Sequence, residues 1–171
     1  MRFDTKIAIA VRGDLATWQK LNVTAFLASA VAGGRPEVIG ERYQDGSGNV
    51  YLPMFRQPML VYGADAEALG SAHGRALDRE LDVAVYIEEM FKTGHDLANR
   101  AAVRAVAAEA LPLVGLAVYG PKNAVDKIFK GFPLHSCFTG WRNGWAPADA
   151  DGETPGPARL TLSRDGSHAG P

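Results

Sequence analysis

The chain has 171 residues, 47% of them hydrophobic and 22% charged, with a formal net charge of −1. That length suffices for one domain whose core needs neither disulfides nor metals, and the balanced charge supplies no global positive field for a nucleic-acid backbone. Cys137 is the single cysteine, so an intrachain disulfide is excluded and a reducing cytosol is the natural setting. No signal-like segment opens the chain and no apolar run approaches the roughly 20 residues that cross a bilayer. A cytoplasmic protein without membrane or nucleic-acid partners is expected.

Lys6 to Val11 is an unbroken apolar run of strand length (Ile7, Ala8, Ile9, Ala10, Val11). Without polar alternation it predicts a strand covered on both faces, central in a layered sheet. It breaks at Arg12-Gly13-Asp14, and a helix follows to Gly33-Gly34, with Asp14 placed to cap it. Along this helix Leu21, Ala25, Ala28 and Ala32 share one stripe with Leu27 and Val31 beside it, which predicts a face of small residues against the sheet.

Glu37 to Tyr43 and Asn49 to Met54 flank Gln44-Asp45-Gly46-Ser47-Gly48, a hairpin signature because glycine adopts positive φ at little cost. Met59 to Tyr62 is the next strand. Asp65 then caps a helix whose buried stripe is Ala68, Leu69, Ala72 and Ala76, with Arg75, Asp78 and Arg79 facing water. Asp82 to Ile87 is a β-branched and aromatic strand. Thr93-Gly-His-Asp96 has the form of a capping box opening an alanine-rich helix that runs to about Leu111-Pro112.

Val114 to Tyr119 is the last strand. Gly120-Pro121 opens the last helix, with stripe Ala124, Val125, Ile128 and Phe129 and a stop at Gly131. From about Cys137 helical and strand periods vanish and Gly, Pro, Ala and Asp dominate, a composition that predicts a disordered tail. The expected organisation is a domain over residues 1–140 and a disordered or loosely attached tail over 141–171. Helices alternating with buried strands predict a three-layer α/β/α arrangement, with the hairpin making the central sheet mixed.

Several polar residues fall where the strand-to-helix turns of such a sheet keep ligands. Asn22 and Thr24 interrupt the apolar first helix, lining a pocket or simply facing water. Thr93, His95 and Asn99 follow the fifth apolar run: His95 offers a base titrating near neutrality or an exposed turn histidine, Asn99 an amide for a ligand or for water, and Thr93 a cap. Trp18 is a pocket wall or a lid. The four histidines, His73, His95, His135 and His168, are scattered, and no metal-ligand or phosphate-loop spacing occurs. No cofactor and no metal are expected.

KIAIAVRGDL followed by QKLNVTAFLASA resembles the opening of the type II peptidyl-tRNA hydrolases, in which a first strand ends in Arg-x-Asp-Leu before a lysine-headed helix. GLAVYGPKNAVDKIF resembles that family's closing strand, Gly-Pro turn and final helix, and VYIEEM sits where the family has a strand ending in Gln-Asp. With EEMFKTGHDLAN, the nearest resemblance is to a bacterial relative of that fold, domain of unknown function 2000, over about Thr5 to His135. The resemblance implies a type II peptidyl-tRNA hydrolase-like fold. It places Lys20 on the family's essential lysine and Glu89 on its aspartate, whereas Thr24 stands on a family glutamine and Gly115 on a family threonine. The Gly-Lys-Gly-Lys context around Lys20 is absent, and a helix over roughly Asp96 to Leu111 replaces a short loop. Peptidyl-tRNA hydrolysis itself is therefore not expected.

Glu88 and Glu89 are adjacent, so on a continuing strand they point to opposite faces and only one can serve a given pocket. Three functions fit. One is a hydrolase acting on a small acyl or nucleotide-like substrate, with Lys20 holding a developing negative charge and Glu89 as acid or base, and Asn22, Thr24, Thr93, His95 and Asn99 binding substrate. The second is a non-catalytic small-molecule or nucleotide-binding module with the same pocket. The third is a structural homodimer joined through the hairpin around Glu41 to Met54.

Overall fold

The structure is a computed structural model and describes residues 3–135; the tail expected over 141–171 lies outside the described residues. Four strands form one sheet in the order β4-β1-β6-β5. They are β1 (Thr5–Arg12), β4 (Met59–Ala64), β5 (Asp82–Ile87) and β6 (Leu113–Pro121). β1 runs parallel to β4, with Ile9 opposite Val61, and antiparallel to β6, with Ile9 opposite Ala117. β5 is antiparallel to β6, so β1, β4 and β5 all end at the same side of the sheet. The sheet is mixed, as expected, but β6 makes it so. The hairpin, β2 (Tyr43–Gln44) and β3 (Val50–Tyr51), is a separate two-stranded sheet.

The four α-helices of the described residues are α1 (Thr17–Gly34), α2 (Ala66–Leu77), α3 (Asp96–Arg104) and α4 (Lys122–Ile128). Strand alternation divides the apolar residues between the two faces of the sheet. Ile7, Ile9 and Val11 of β1 pack with Val23, Leu27 and Val31 of α1. Ala8 and Ala10 pack instead with Leu69 and Ala72 of α2 and with Val125 and Ile128 of α4. Both faces of β1 and β6 are thus covered, which is why their sequences lack polar alternation. The result is three layers, α1 on one face and α2 with α4 on the other. No helix of the described residues is long and apolar enough to cross a membrane.

The buried stripe of α1 differs from the expected one. Val23, Leu27 and Val31 face the sheet, whereas Leu21 is 67% exposed. The close approach comes from the strand: a Cβ built on Gly115 of β6 would overlap Val23 Cγ1 and stand 2.9 Å from Leu27 Cδ1. The missing side chain on β6 lets branched residues on α1 sit on the sheet. A threonine at this position would collide with them.

The capping signals held in one case and failed in two. Asp65 caps α2 by accepting from the Ala68 N–H at 2.7 Å. Asp14 does not cap α1; it accepts from Arg12 Nε at 2.7 Å, and the Gln19 side chain accepts from the Ala16 N–H at 3.0 Å instead. α3 begins at Asp96 with His95 as its N-cap, so Thr93 lies outside the helix. It ends at Arg104, well before Leu111; a 3₁₀ turn over Ala108–Ala110 intervenes, and Leu111, preceding Pro112, takes an extended ψ of 123°. Arg75 does not simply face water, because its Nη2 donates to the Ile128 carbonyl at 2.8 Å.

The hairpin is shorter than expected because Pro36–Val38 forms a 3₁₀ turn. Its turn is organised by Asp45, whose carboxylate accepts from Asn49 Nδ2 at 2.8 Å, Tyr51 Oη at 2.7 Å and the Asn49 and Ser47 N–H groups. Those donors, led by the Asn49 side chain, hold the Asp45 carboxyl at about 2. Around this turn Tyr43, Val50, Tyr51, Leu52 and Met54 are all exposed.

Two stability predictions follow from this packing. Gly115→Ala overpacks the α1–β6 contact and costs about 1–3 kcal/mol in chemical denaturation. Gly120→Ala, whose added Cβ meets the movable end of Leu81 at 2.8 Å, costs distinctly less. His73 of α2 is buried, and burial lowers its pKa from the ordinary 6.5. Below that value the unfolded chain takes up a proton that the folded chain resists, so stability is full above it and falls as pH drops toward the lower folded pKa. Urea midpoints measured across this range should decline toward acid, and His73→Gln should flatten the decline.

Candidate functional site

The carboxyl ends of β1, β4 and β5 converge at one side of the sheet, and the turns leaving them carry most of the candidate residues. Arg12, the last residue of β1, ties two of these turns together: Nε donates to Asp14 at 2.7 Å and Nη1 to Glu88 Oε2 at 3.2 Å. Its side chain is only 19% exposed while both carboxylates are well solvated. After β5 the chain does not continue as a strand. Glu88–Phe91 is a 3₁₀ turn, so the strand alternation expected to separate Glu88 from Glu89 does not apply there.

Between α1 and the segment from β5 to α3 lies an open cleft of about 860 Å³. Its α1 wall is the stripe Trp18, Asn22 and Phe26, three residues four apart and therefore on one helical face. Tyr86 of β5 and Phe91 of the 3₁₀ turn complete a run of touching rings. Trp18 meets Phe91 edge-on with centroids 5.9 Å apart, Phe26 meets Tyr86 edge-on at 5.7 Å, and Tyr86 is tilted against Phe91 at 5.2 Å. Trp18 and Phe26 remain 63% and 49% exposed, leaving apolar ring surface open to the cleft's solvent.

Polar groups are set into this aromatic lining in bonded pairs. Tyr86 Oη donates to Asn22 Oδ1 at 3.1 Å, and burial pushes the Tyr86 phenol pKa up, keeping it a neutral donor. Thr93 Oγ1 donates to the Met90 carbonyl at 3.0 Å and is bonded to Asn99. His95 Nδ1 accepts the Ala98 N–H at 3.2 Å as the cap of α3. Asp96 pairs with Arg100 at 2.7 Å on the rim, beside Arg104. The arrangement offers flat apolar contact with a few amide, hydroxyl and imidazole groups, which suits binding and orientation.

Of the residues singled out in the sequence, Asn22, Thr93, His95 and Asn99 line this one cleft. Thr24 does not; its hydroxyl donates to the Lys20 carbonyl at 2.8 Å within α1. Lys20 lines a second depression, a crevice of about 610 Å³ beside Gly13, Asp65 and His135. Glu89 lines neither. The sequence did not single out the rings of Phe26, Tyr86 and Phe91 as candidates, Tyr86 being read only as part of a strand; Trp18, Asn22 and Phe26 at four-residue spacing were the available signal. Among the described residues no three His, Cys, Asp or Glu side chains are grouped to hold a metal ion.

No curated protein matches this chain. The solved structure of Atu0240, a protein of unknown function from Agrobacterium tumefaciens strain C58, is similar at 50% identity with a TM-score of 0.76. The match covers 79% of this chain and 100% of that one. Residues 5–136 match the model of the family described as protein of unknown function, DUF2000. At that extent, taking in every strand and helix described above, the chain belongs to the DUF2000 family.

Proposed function

We propose that this chain is a small-molecule-binding module whose ligand carries a flat, unsaturated ring seated in the cleft between α1 and α3. The observation that carries this reading is the run of four rings, Trp18, Phe91, Tyr86 and Phe26, in a cleft of about 860 Å³. That volume is within the range of sites that bury small ligands. Apolar rings left open to solvent gain about 25 cal/mol for each Å² a ligand removes from water. Asn22, Thr93, His95 and Asn99 supply the hydrogen-bonding edge that orients the ring. A nucleobase or an aromatic acyl group matches this combination of stacking face and polar rim.

Hydrolysis through Lys20 and Glu89 has weaker support, because the two line no common depression. The relation to the type II peptidyl-tRNA hydrolases rests on the two end motifs, and we read it as a relation of scaffold. A homodimer through the hairpin is the second reading, favoured by the five exposed apolar side chains from Tyr43 to Met54.

A thermal-shift panel of uncharged nucleosides and N-acyl aromatic amides tests the cleft. A ligand at a hundredfold excess over its Kd adds about 2.7 kcal/mol to the folded state. Phe26→Ala and Asn22→Ala should abolish the shift, whereas Lys20→Ala and Glu89→Gln should leave it. If the latter pair abolish it and the former do not, the Lys20/Glu89 reading takes its place. If no compound shifts the midpoint and light scattering returns a dimer that Tyr51→Asp splits, the hairpin reading does.

A further inference from the structure

The second depression stands on different residues. β1 and β4 are parallel neighbours, yet the helices that follow them leave to opposite faces of the sheet, α1 to one and α2 to the other. The loops therefore diverge and leave a crevice between the two strand ends, the position at which open α/β sheets hold ligands. Here it measures about 610 Å³ and is floored by Gly13, Gly63 and Ala64.

Three basic side chains reach it from two separate parts of the chain. Lys20 comes from the first turns of α1, half-buried. Lys130 and His135 come from the segment after α4. That segment turns at Gly131, where φ is +86°, and then runs along β4: Gly63 N–H donates to the Pro133 carbonyl and His135 N–H to the Val61 carbonyl, both at 3.0 Å. Tyr62 and Leu134 form an antiparallel bridge between them. Backbone pairing with β4 thus holds the segment carrying Lys130 and His135 at the crevice.

The ammonium groups in the crevice outnumber its carboxylates. Lys6, Arg12, Arg35, Arg100 and Lys122 each have a carboxylate partner. Among the described residues Lys20 and Lys130 have none. The one carboxylate lining the crevice, Asp65, caps α2 by accepting from the Ala68 N–H and keeps its negative charge, so one carboxylate faces two ammonium groups there. Lys20 and His135 are close enough that the lysine's charge adds to burial in lowering the histidine's pKa. Phe132 and Leu134 form an apolar side of the crevice, and apolar walls strengthen whatever charge interaction occurs beside them.

We propose that this crevice is a site for a phosphate group, with Lys20 and Lys130 as its two counter-charges, separate from the aromatic cleft. A phosphate offers two ammonium groups more charge and more acceptor oxygens than a monocarboxylate does. The site does not depend on the cleft. Trp18 and Lys20, two residues apart on α1, project about 200° apart around the helix.

Titration of the full-length chain with inorganic phosphate at constant ionic strength, followed by amide chemical shifts and by the thermal midpoint, tests this. Shifts should cluster at Gly13, Gly63 and residues 130–135, and acetate at the same ionic strength should not reproduce them. Lys20→Gln and Lys130→Gln should each weaken phosphate about tenfold, Lys20→Arg should restore it, and Lys92→Gln, an exposed lysine outside the crevice, should change nothing. Midpoints without phosphate that match the parent verify that the variants fold. Equal response to acetate, or undiminished phosphate binding in both glutamine variants, overturns the proposal. Phe26→Ala separates it from the cleft reading: phosphate affinity should persist there, and its loss would mean that the two depressions are not independent sites.

Discussion

The seating of α1 on the sheet depends on an absence, the missing side chain of Gly115, and both depressions depend on that seating. With no Cβ in the way, Val23 and Leu27 descend onto β6, and the axis of α1 is fixed close to the strands. The residues flanking this buried stripe are then presented at fixed height on either side. Trp18, Asn22 and Phe26 face the β5–α3 side, and Lys20 faces the β1–β4 side. A helix held farther out by a larger residue would widen both spaces at once. Core packing and candidate function are coupled through one glycine on a strand that touches neither opening.

Electrostatics at the strand ends divides into satisfied and unsatisfied groups. Arg12 is answered twice, by Asp14 and Glu88, and so braces the turn after β1 against the turn after β5. Arg35 makes a bidentate pair with Asp82 at 2.6 and 2.7 Å, fastening the far end of α1 to the start of β5. Each such surface pair is worth little alone, about 0–1 kcal/mol. Together they restrict α1 at both ends, where a tilt would otherwise cost few contacts. The lysines at the β1–β4 crevice take no part in this bracing.

Continuous apolar runs are legible in the sequence, and so are some single side chains, although Asp14 was drawn to Arg12 instead of capping α1. The unbroken apolar strands β1 and β6, the Asp65 cap and the Asp-Gly turn are legible in this way. The stripe of α1 is not, because its rows are nearly equally apolar and a choice among them needs the shape of the sheet opposite. Alanine content overstated α3, which ends at Arg104, since helix propensity cannot register that the chain must return to β6. Hairpin chemistry was visible at Asp45 and Gly48, but not that Pro36–Val38 would turn instead of extending. For the candidate site, the polar residues were found because polarity inside an apolar helix is conspicuous. Phe26, Tyr86 and Phe91 were missed for the converse reason: an aromatic residue in an apolar stretch reads as core until the fold leaves it on a cleft wall.

The strip from Pro133 to His135 also has a meaning for the sheet. β4 is an outer strand, and its free backbone groups would form a template on which another chain could pair. By answering the Gly63 N–H and the Val61 carbonyl, these residues close part of that edge from within the same molecule. Protection of the edge therefore comes after the four strands of the sheet in chain order. During synthesis β4 waits, uncovered on that side, for the C-terminal end of the fold to emerge.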